Sequence, residues 1–176
     1  MVFLRTITTA SFLALASSLF TSPGLAQEKV PGPWGELVDH VKPLNIRSDR
    51  DRITHFRRQK MRAQSAHFRA IEAVVIYDAP FKNGMADDAR ALQVLARRMD
   101  DWFVPGTALD GGKFGAKPEI WQQQEKFSQH IDGYRKAVDE LVAASVSGGD
   151  LRPAFIGVRH QCLACHQSFR VFEGRP

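Results

Sequence analysis

An all-α chain, folded as an antiparallel four-helix bundle, is what this sequence predicts, and three observations predict it. Four stretches carry apolar residues at three- and four-residue steps, the spacing of one helix face. No segment alternates convincingly at a period of two, as a half-buried strand would. The stretches are parted by breaks rich in Pro, Gly and Asp, and mostly short links favour antiparallel neighbours.

The first predicted helix covers 51–76. Asp49 or Asp51 can cap it; Met61, Phe68 and Val75 recur at steps of seven, with Gln64 and Ile71 between them. Asp78-Ala79-Pro80 ends it. The second covers 86–103, with Asp87 and Asp88 at its positive end and Leu92, Leu95, Met99 and Trp102 on one stripe. Val104-Pro105-Gly106 stops it, and a longer loop with Gly111, Gly112 and Gly115 follows. The third opens at Pro118, a residue favoured in a first turn, and runs to 146. Its apolar face is Ile120, Phe127, Ile131, Tyr134, Val138 and Leu141 or Val142, and Ser147-Gly148-Gly149 closes it. Asp150 can cap the fourth, over 151–172, with Pro153 tolerated in its first turn.

That fourth helix carries Cys162-Leu163-Ala164-Cys165-His166. Two cysteines three apart with a histidine directly after them is the attachment pattern of c-type haem. Each thiol can form a thioether to a haem vinyl group, and His166 can bond the iron as proximal ligand. On a helix, positions 162, 165 and 166 share a face. A redox dithiol, half a zinc site or a structural disulfide use the same spacing. A dithiol usually opens a helix after a strand, and no such strand is visible. A zinc site needs two more ligands at matching spacing, yet these are the only cysteines and the other histidines are scattered. Haem c, one per chain and covalent through Cys162 and Cys165, is the strong reading.

Residues 1–26 contain one charge, Arg5, then an apolar run from Ile7 to Phe20 and the small residues Pro23-Gly24-Leu25-Ala26. This is the pattern of a secretory signal peptide cleaved after Ala26, and the run is short for a bilayer span. Export fits covalent haem attachment on the far side of a bacterial inner membrane, so a periplasmic location is expected. Residues 27–50, with Pro31, Gly32, Pro33, Gly35 and Pro43, read as an N-terminal extension whose His40 is a surface residue. The haem-binding bundle is then 51–176, and about 150 mature residues is one domain with one core. Losing Arg5 lowers the formal charge of +5 by one. That modest, dispersed excess suits an acidic partner and lacks the clustering of a nucleic-acid footprint, so no nucleic acid is expected.

With these residues in view, the chain resembles the class II c-type cytochromes, the cytochrome c′ group and its low-spin relatives. The resemblance rests on Phe56-Arg57 with Met61 and His67-Phe68, on Pro105-Gly106-Thr107, on Lys117-Pro118-Glu119-Ile120-Trp121, and on the run from Cys162 to Arg170. It spans roughly 50–172; the extension before it is a departure to which nothing is carried over. It implies a haem inside the bundle, His166 as axial ligand and the basic Arg170 beside it. It also implies Arg57 interacting with a haem propionate, assisted by Arg58, and Met61 facing the distal side of the iron. Read without it, Arg57 belongs to a solvated basic face with Arg52, Arg58, Lys60 and Arg62, and Met61 is core filler. A buried propionate does require a charge-assisted partner, and Arg57 and Met61, four apart, share a face. Trp121 and Phe169 read as core and pocket wall, and His55, His67, His130 and His160 as surface or supporting residues.

The leading functional expectation is a periplasmic electron carrier that exchanges electrons with periplasmic redox proteins. No catalytic base or substrate pocket is legible, so the chain is not read as an enzyme. The alternative is a small-gas binder, taking nitric oxide or carbon monoxide at a five-coordinate, high-spin haem. Met61 divides the two: a sulfur–iron bond gives a low-spin carrier, whereas packing alone leaves the sixth site open. The open state is the expectation adopted. The resemblance also implies a homodimer through the outer faces of the first two helices.

Overall fold

The structure, a computed structural model, describes residues 46–108 and 114–172. The expected signal peptide, most of the extension with His40, and loop glycines Gly111 and Gly112 lie outside the described residues. Helix α1 runs Asp49–Val75, so it begins inside the segment assigned to the extension. Ser48 explains the boundary. Its hydroxyl accepts from the Asp51 N–H at 3.1 Å while the Asp51 carboxylate accepts from the Ser48 N–H at 3.0 Å, a reciprocal capping box. Replacing Ser48 with alanine is expected to cost about 1 kcal/mol, read as an earlier thermal midpoint with an unchanged haem spectrum. At the far end Asp78 takes φ 55°, and this left-handed residue before Pro80 turns the chain away.

Helix α2 is Met85–Arg97, shorter than the expected 86–103, because residues Asp100–Trp102 form a separate 3-10 turn. The predicted stripe survives the break, with Leu92, Met99 and Trp102 all buried. The break itself is held from another helix. Arg135 donates through Nε to the Ala96 carbonyl and through Nη2 to the Arg97 carbonyl, both at 3.1 Å, and pairs with Asp100 at 2.6 Å. Carbonyls that a longer helix would have used are thereby satisfied.

The expected third helix is two helices, α3 over Glu119–Gln122 and α4 over Gln124–Ser147. Gln123, at φ −122° and ψ 52°, breaks them apart. The Trp121 indole N–H donates to the Phe103 carbonyl at 3.0 Å and ties α3 to the turn after α2. The apolar face read from the sequence is buried in full order: Ile120, Phe127, Ile131, Tyr134, Val138 and Leu141. Gly148, at φ 71°, closes α4 in the left-handed conformation that glycine adopts without penalty.

Helix α5 is Arg152–Phe169, three residues short of the expected end. Asp150 accepts from the Arg152 N–H at 2.9 Å, so it anchors the start although Leu151 is the boundary residue. After Phe169 the chain becomes extended. Strand β1, Phe114–Ala116, pairs antiparallel with strand β2, Arg170–Phe172, with Gly115 opposite Val171. This ribbon corrects the expectation of a chain without strands. Three residues per strand are too few to register as an alternating pattern, and the partners lie more than fifty residues apart in sequence.

The four long helices are antiparallel in sequence order. Arg57 near the start of α1 bonds Trp102 and Thr107 beyond α2, while His67 bonds Asp88 near the start of α2. Gln93 reaches Asp139 and Arg135 reaches Arg97, which sets α2 against α4. The Lys117 N–H donates to the Phe169 carbonyl at 2.9 Å, so the start of α3 meets the end of α5. Arg152 donates to the Val75 carbonyl at 3.0 Å, bringing the start of α5 to the end of α1. The all-α four-helix architecture is as the sequence predicted. Ile71, Leu92, Val138, Leu141, Phe155 and Val158 fill its centre.

Candidate functional site

Phe68 of α1 and Phe155 of α5 stack with ring centroids 4.6 Å apart. Counting seven residues from each in opposite directions leads to Met61 on α1 and Cys162 on α5. Because the helices are antiparallel and rise equally per residue, these two stand at about the same level. Met61, Cys162 and Cys165 are partly buried and pack against the core cluster, as do Phe103 and Trp121.

Both thiols are free. Burial pushes Cys162 and Cys165 up to about 11, with Cys165 adding to the effect on Cys162. A redox dithiol works through a thiolate of lowered pKa, so this environment is the wrong one for that chemistry. Among the described residues no cluster of three His, Cys, Asp or Glu could hold a metal ion, so the zinc reading gains no further ligands. Burial, reinforced by Arg170, pushes His166 down to about 4. Its imidazole is therefore neutral near pH 7 and keeps a lone pair for a metal. Tyr134 of α4 lies close enough to Cys162 to be affected by it, and burial raises its phenol above the ordinary range.

Arg170 lies just past the end of α5, which corrects the expected helix over 151–172. It begins β2, at φ −114° and ψ 134°, and returns its backbone N–H to the His166 carbonyl. That bond is the last helical turn's, and the pairing opposite Ala116 then carries the chain away from the helix.

Arg57 is 7% exposed, so the solvated-face reading fails for it while holding for Arg52, Arg58 and Arg62. Its Nη1 donates to Thr107 Oγ1 at 2.7 Å and to the Trp102 carbonyl at 3.2 Å. Its Nη2 donates to the Thr107 carbonyl at 2.7 Å, and the guanidinium lies 5.2 Å from the centre of the Phe103 ring. Thr107 in turn donates to the Val104 carbonyl at 2.6 Å, and Gly106 supplies φ 78°. Thr107 thus organises the turn beneath Arg57, a role that its place in Pro-Gly-Thr does not reveal. Arg58 points to the exposed side and shares none of these bonds among those described.

His55 meets Gln59, His67 meets Asp88, and His130 packs edge-on against Phe169, so each serves as a supporting residue. Gln64 reads in the sequence as no more than part of a stripe. It is 8% exposed, and its side-chain nitrogen has no hydrogen-bond partner among the described residues. The same is true of Glu119 Oε2. An unmade buried hydrogen bond costs on the order of 1–3 kcal/mol. Two thiols and a neutral imidazole on one helix face, with partly buried apolar side chains packed around them, fit a covalently attached haem. Cys162 and Cys165 would carry it and His166 would ligate its iron.

A helical bundle with this attachment motif in its last helix defines a class II c-type cytochrome. The chain belongs to the cytochrome c′ family, whose pattern it matches over residues 52–170. It is 30% identical over 118 residues to cytochrome c′ of Alcaligenes xylosoxydans xylosoxydans, covering 65% of this chain and 90% of that one. It is 24% identical over 175 residues to cytochrome c-556 of Rhodopseudomonas palustris, covering 97% of this chain and 99% of that one. Among solved structures it is similar to a ferrous variant of Alcaligenes xylosoxidans cytochrome c prime with bound NO. There the TM-score is 0.64 at 27% identity, over 72% of this chain and 99% of that one. A carbon monoxide-bound variant of the same cytochrome gives 0.63 at 28% identity, over 70% and 98% of the two chains. The cofactor of this family is covalently attached haem c.

Proposed function

We propose that this chain is a periplasmic electron carrier, not an enzyme, with His166 as the axial ligand of its haem. The observation that carries the reading is the contrast within the attachment motif. Leu163, between the two cysteines, is 48% exposed, whereas His166 behind them is buried enough to be held neutral. A haem tethered there would have one edge near solvent and its iron in a low-dielectric interior. Haem iron supplies the one-electron change between ferric and ferrous; the chain holds it, keeps water from His166 and leaves an edge for exchange. No helix among the described residues is long and apolar enough to cross a membrane, which is compatible with the exported location that residues 1–26 suggest. Protein-film voltammetry of the purified holo-protein tests the carrier reading. A reversible one-electron wave is expected, and a sluggish or irreversible wave would overturn it.

A second reading, capture of a diatomic gas at the sixth site, is favoured by the two structural neighbours with NO and CO bound. Met61 decides between an open and a sulfur-ligated iron. On the open-site reading, replacing it with alanine is expected to leave a high-spin ferric spectrum unchanged, because the side chain then only packs on the core. A near-infrared sulfur–iron band in the native protein that disappears in the variant would show that Met61 is a ligand.

A further inference from the structure

We propose that Gln64 is the hydrogen-bond donor of the distal side, placed to hold the outer atom of a diatomic molecule bound to the iron. The inference rests on the gas-binding reading and on Met61 facing that side. Gln64 follows Met61 by three residues, so the two are neighbours on one face of α1. Counted from the stack of Phe68 on Phe155, Met61 stands level with Cys162, and Gln64 lies less than one turn from that level, about 4.5 Å along the axis on the Phe68 side. Among its neighbours on that face, Arg57, Ile71 and Val74 are buried and Phe68 packs on the core.

What sets Gln64 apart is that its amide nitrogen is buried and has no partner among the described residues. Buried donors are nearly always satisfied; Glu119 Oε2, the other unpartnered buried atom among those described, is an acceptor, so Gln64 is the donor left to meet an acceptor that a ligand supplies. Haem propionates are a poor candidate for that acceptor. The resemblance gives them to Arg57, which precedes Gln64 by seven residues, about 10.5 Å along the helix axis. A diatomic bound on the side that Met61 faces would present its outer atom towards the face that Met61 and Gln64 share. An amide N–H directed at that atom favours the polarised, bound state over the free gas. It also discriminates between gases, since the better acceptor gains more.

The test uses the ferrous holo-protein with carbon monoxide and with nitric oxide, in wild type, Gln64→Leu and Gln64→His. Leucine nearly conserves volume and removes the orphaned donor, so haem content and helical circular dichroism should be retained. In Gln64→Leu the infrared C–O stretch should move to higher frequency, because the positive N–H dipole no longer draws electron density onto the ligand. Nitric oxide release should quicken about fivefold, which corresponds to about 1 kcal/mol. Histidine, which keeps a donor, should return both values towards wild type. If CO binds with the same stretch and NO leaves at the same rate in all three proteins, the role of Gln64 is wrong while gas binding stands. If wild-type ferrous protein takes up neither gas, the gas-binding reading fails, and the inference falls with it.

Discussion

Replacing Cys162 and Cys165 together with alanine is expected to yield protein whose haem is wholly lost on acid–acetone extraction. Each thioether is one covalent tether, so a single replacement should leave singly attached, poorly retained haem. The double replacement should remove the haem increment from the intact mass altogether. His166→Ala is expected to behave differently. On the proposed ligation its imidazole would bond the iron and make no tether, so attachment should survive in part while the native absorption spectrum is lost. The two arms separate cleanly because the cysteines and the histidine occupy one helix face yet would form chemically independent bonds. Full haem mass in the double variant would refute the assignment of this site.

Replacing Arg57 with leucine is expected to lower the thermal midpoint of the holo-protein by about 10 °C, corresponding to about 2–3 kcal/mol. Three hydrogen bonds from this guanidinium converge on Trp102 and Thr107, and their loss strands carbonyls in the turn that follows α2. Burial lowers the pKa of Arg57, which marks a cation stabilised less by solvent than by its bonded neighbours. Arg57→Lys keeps the charge but cannot reach both groups of Thr107 and the Trp102 carbonyl at once. It should recover only part of the loss. A midpoint for Arg57→Leu within a degree of wild type would show that the turn holds itself.

Much of this protein is legible in its amino-acid sequence, and the reason is that its strongest signals are local. The stripe from Phe127 to Leu141 and the stops at Pro80 and Gly148 follow from helical spacing and backbone preference within a few residues. The attachment motif is legible for the same reason, since five consecutive residues carry the thiols and the imidazole together. Ser48 shows how narrow the margin is: its reciprocal bond with Asp51 was available in the sequence, yet the acidic residues drew the boundary two positions too late.

Other features were decided only by the tertiary structure. α2 stops at Arg97 because Arg135, nearly forty residues later, satisfies its last carbonyls. α5 stops at Phe169 because residues 170–172 find a strand partner in 114–116. Arg57 reads as one basic residue among several until Thr107 is folded beneath it. Gln64 becomes conspicuous only when the packed helices leave its amide nitrogen without an acceptor. The sequence by itself determined the helical faces, the haem-binding motif and the order of the bundle, because these depend on spacing along one chain segment. Where helices end, and which polar groups are satisfied, depends on atoms brought together from distant segments, and only the folded packing supplies those.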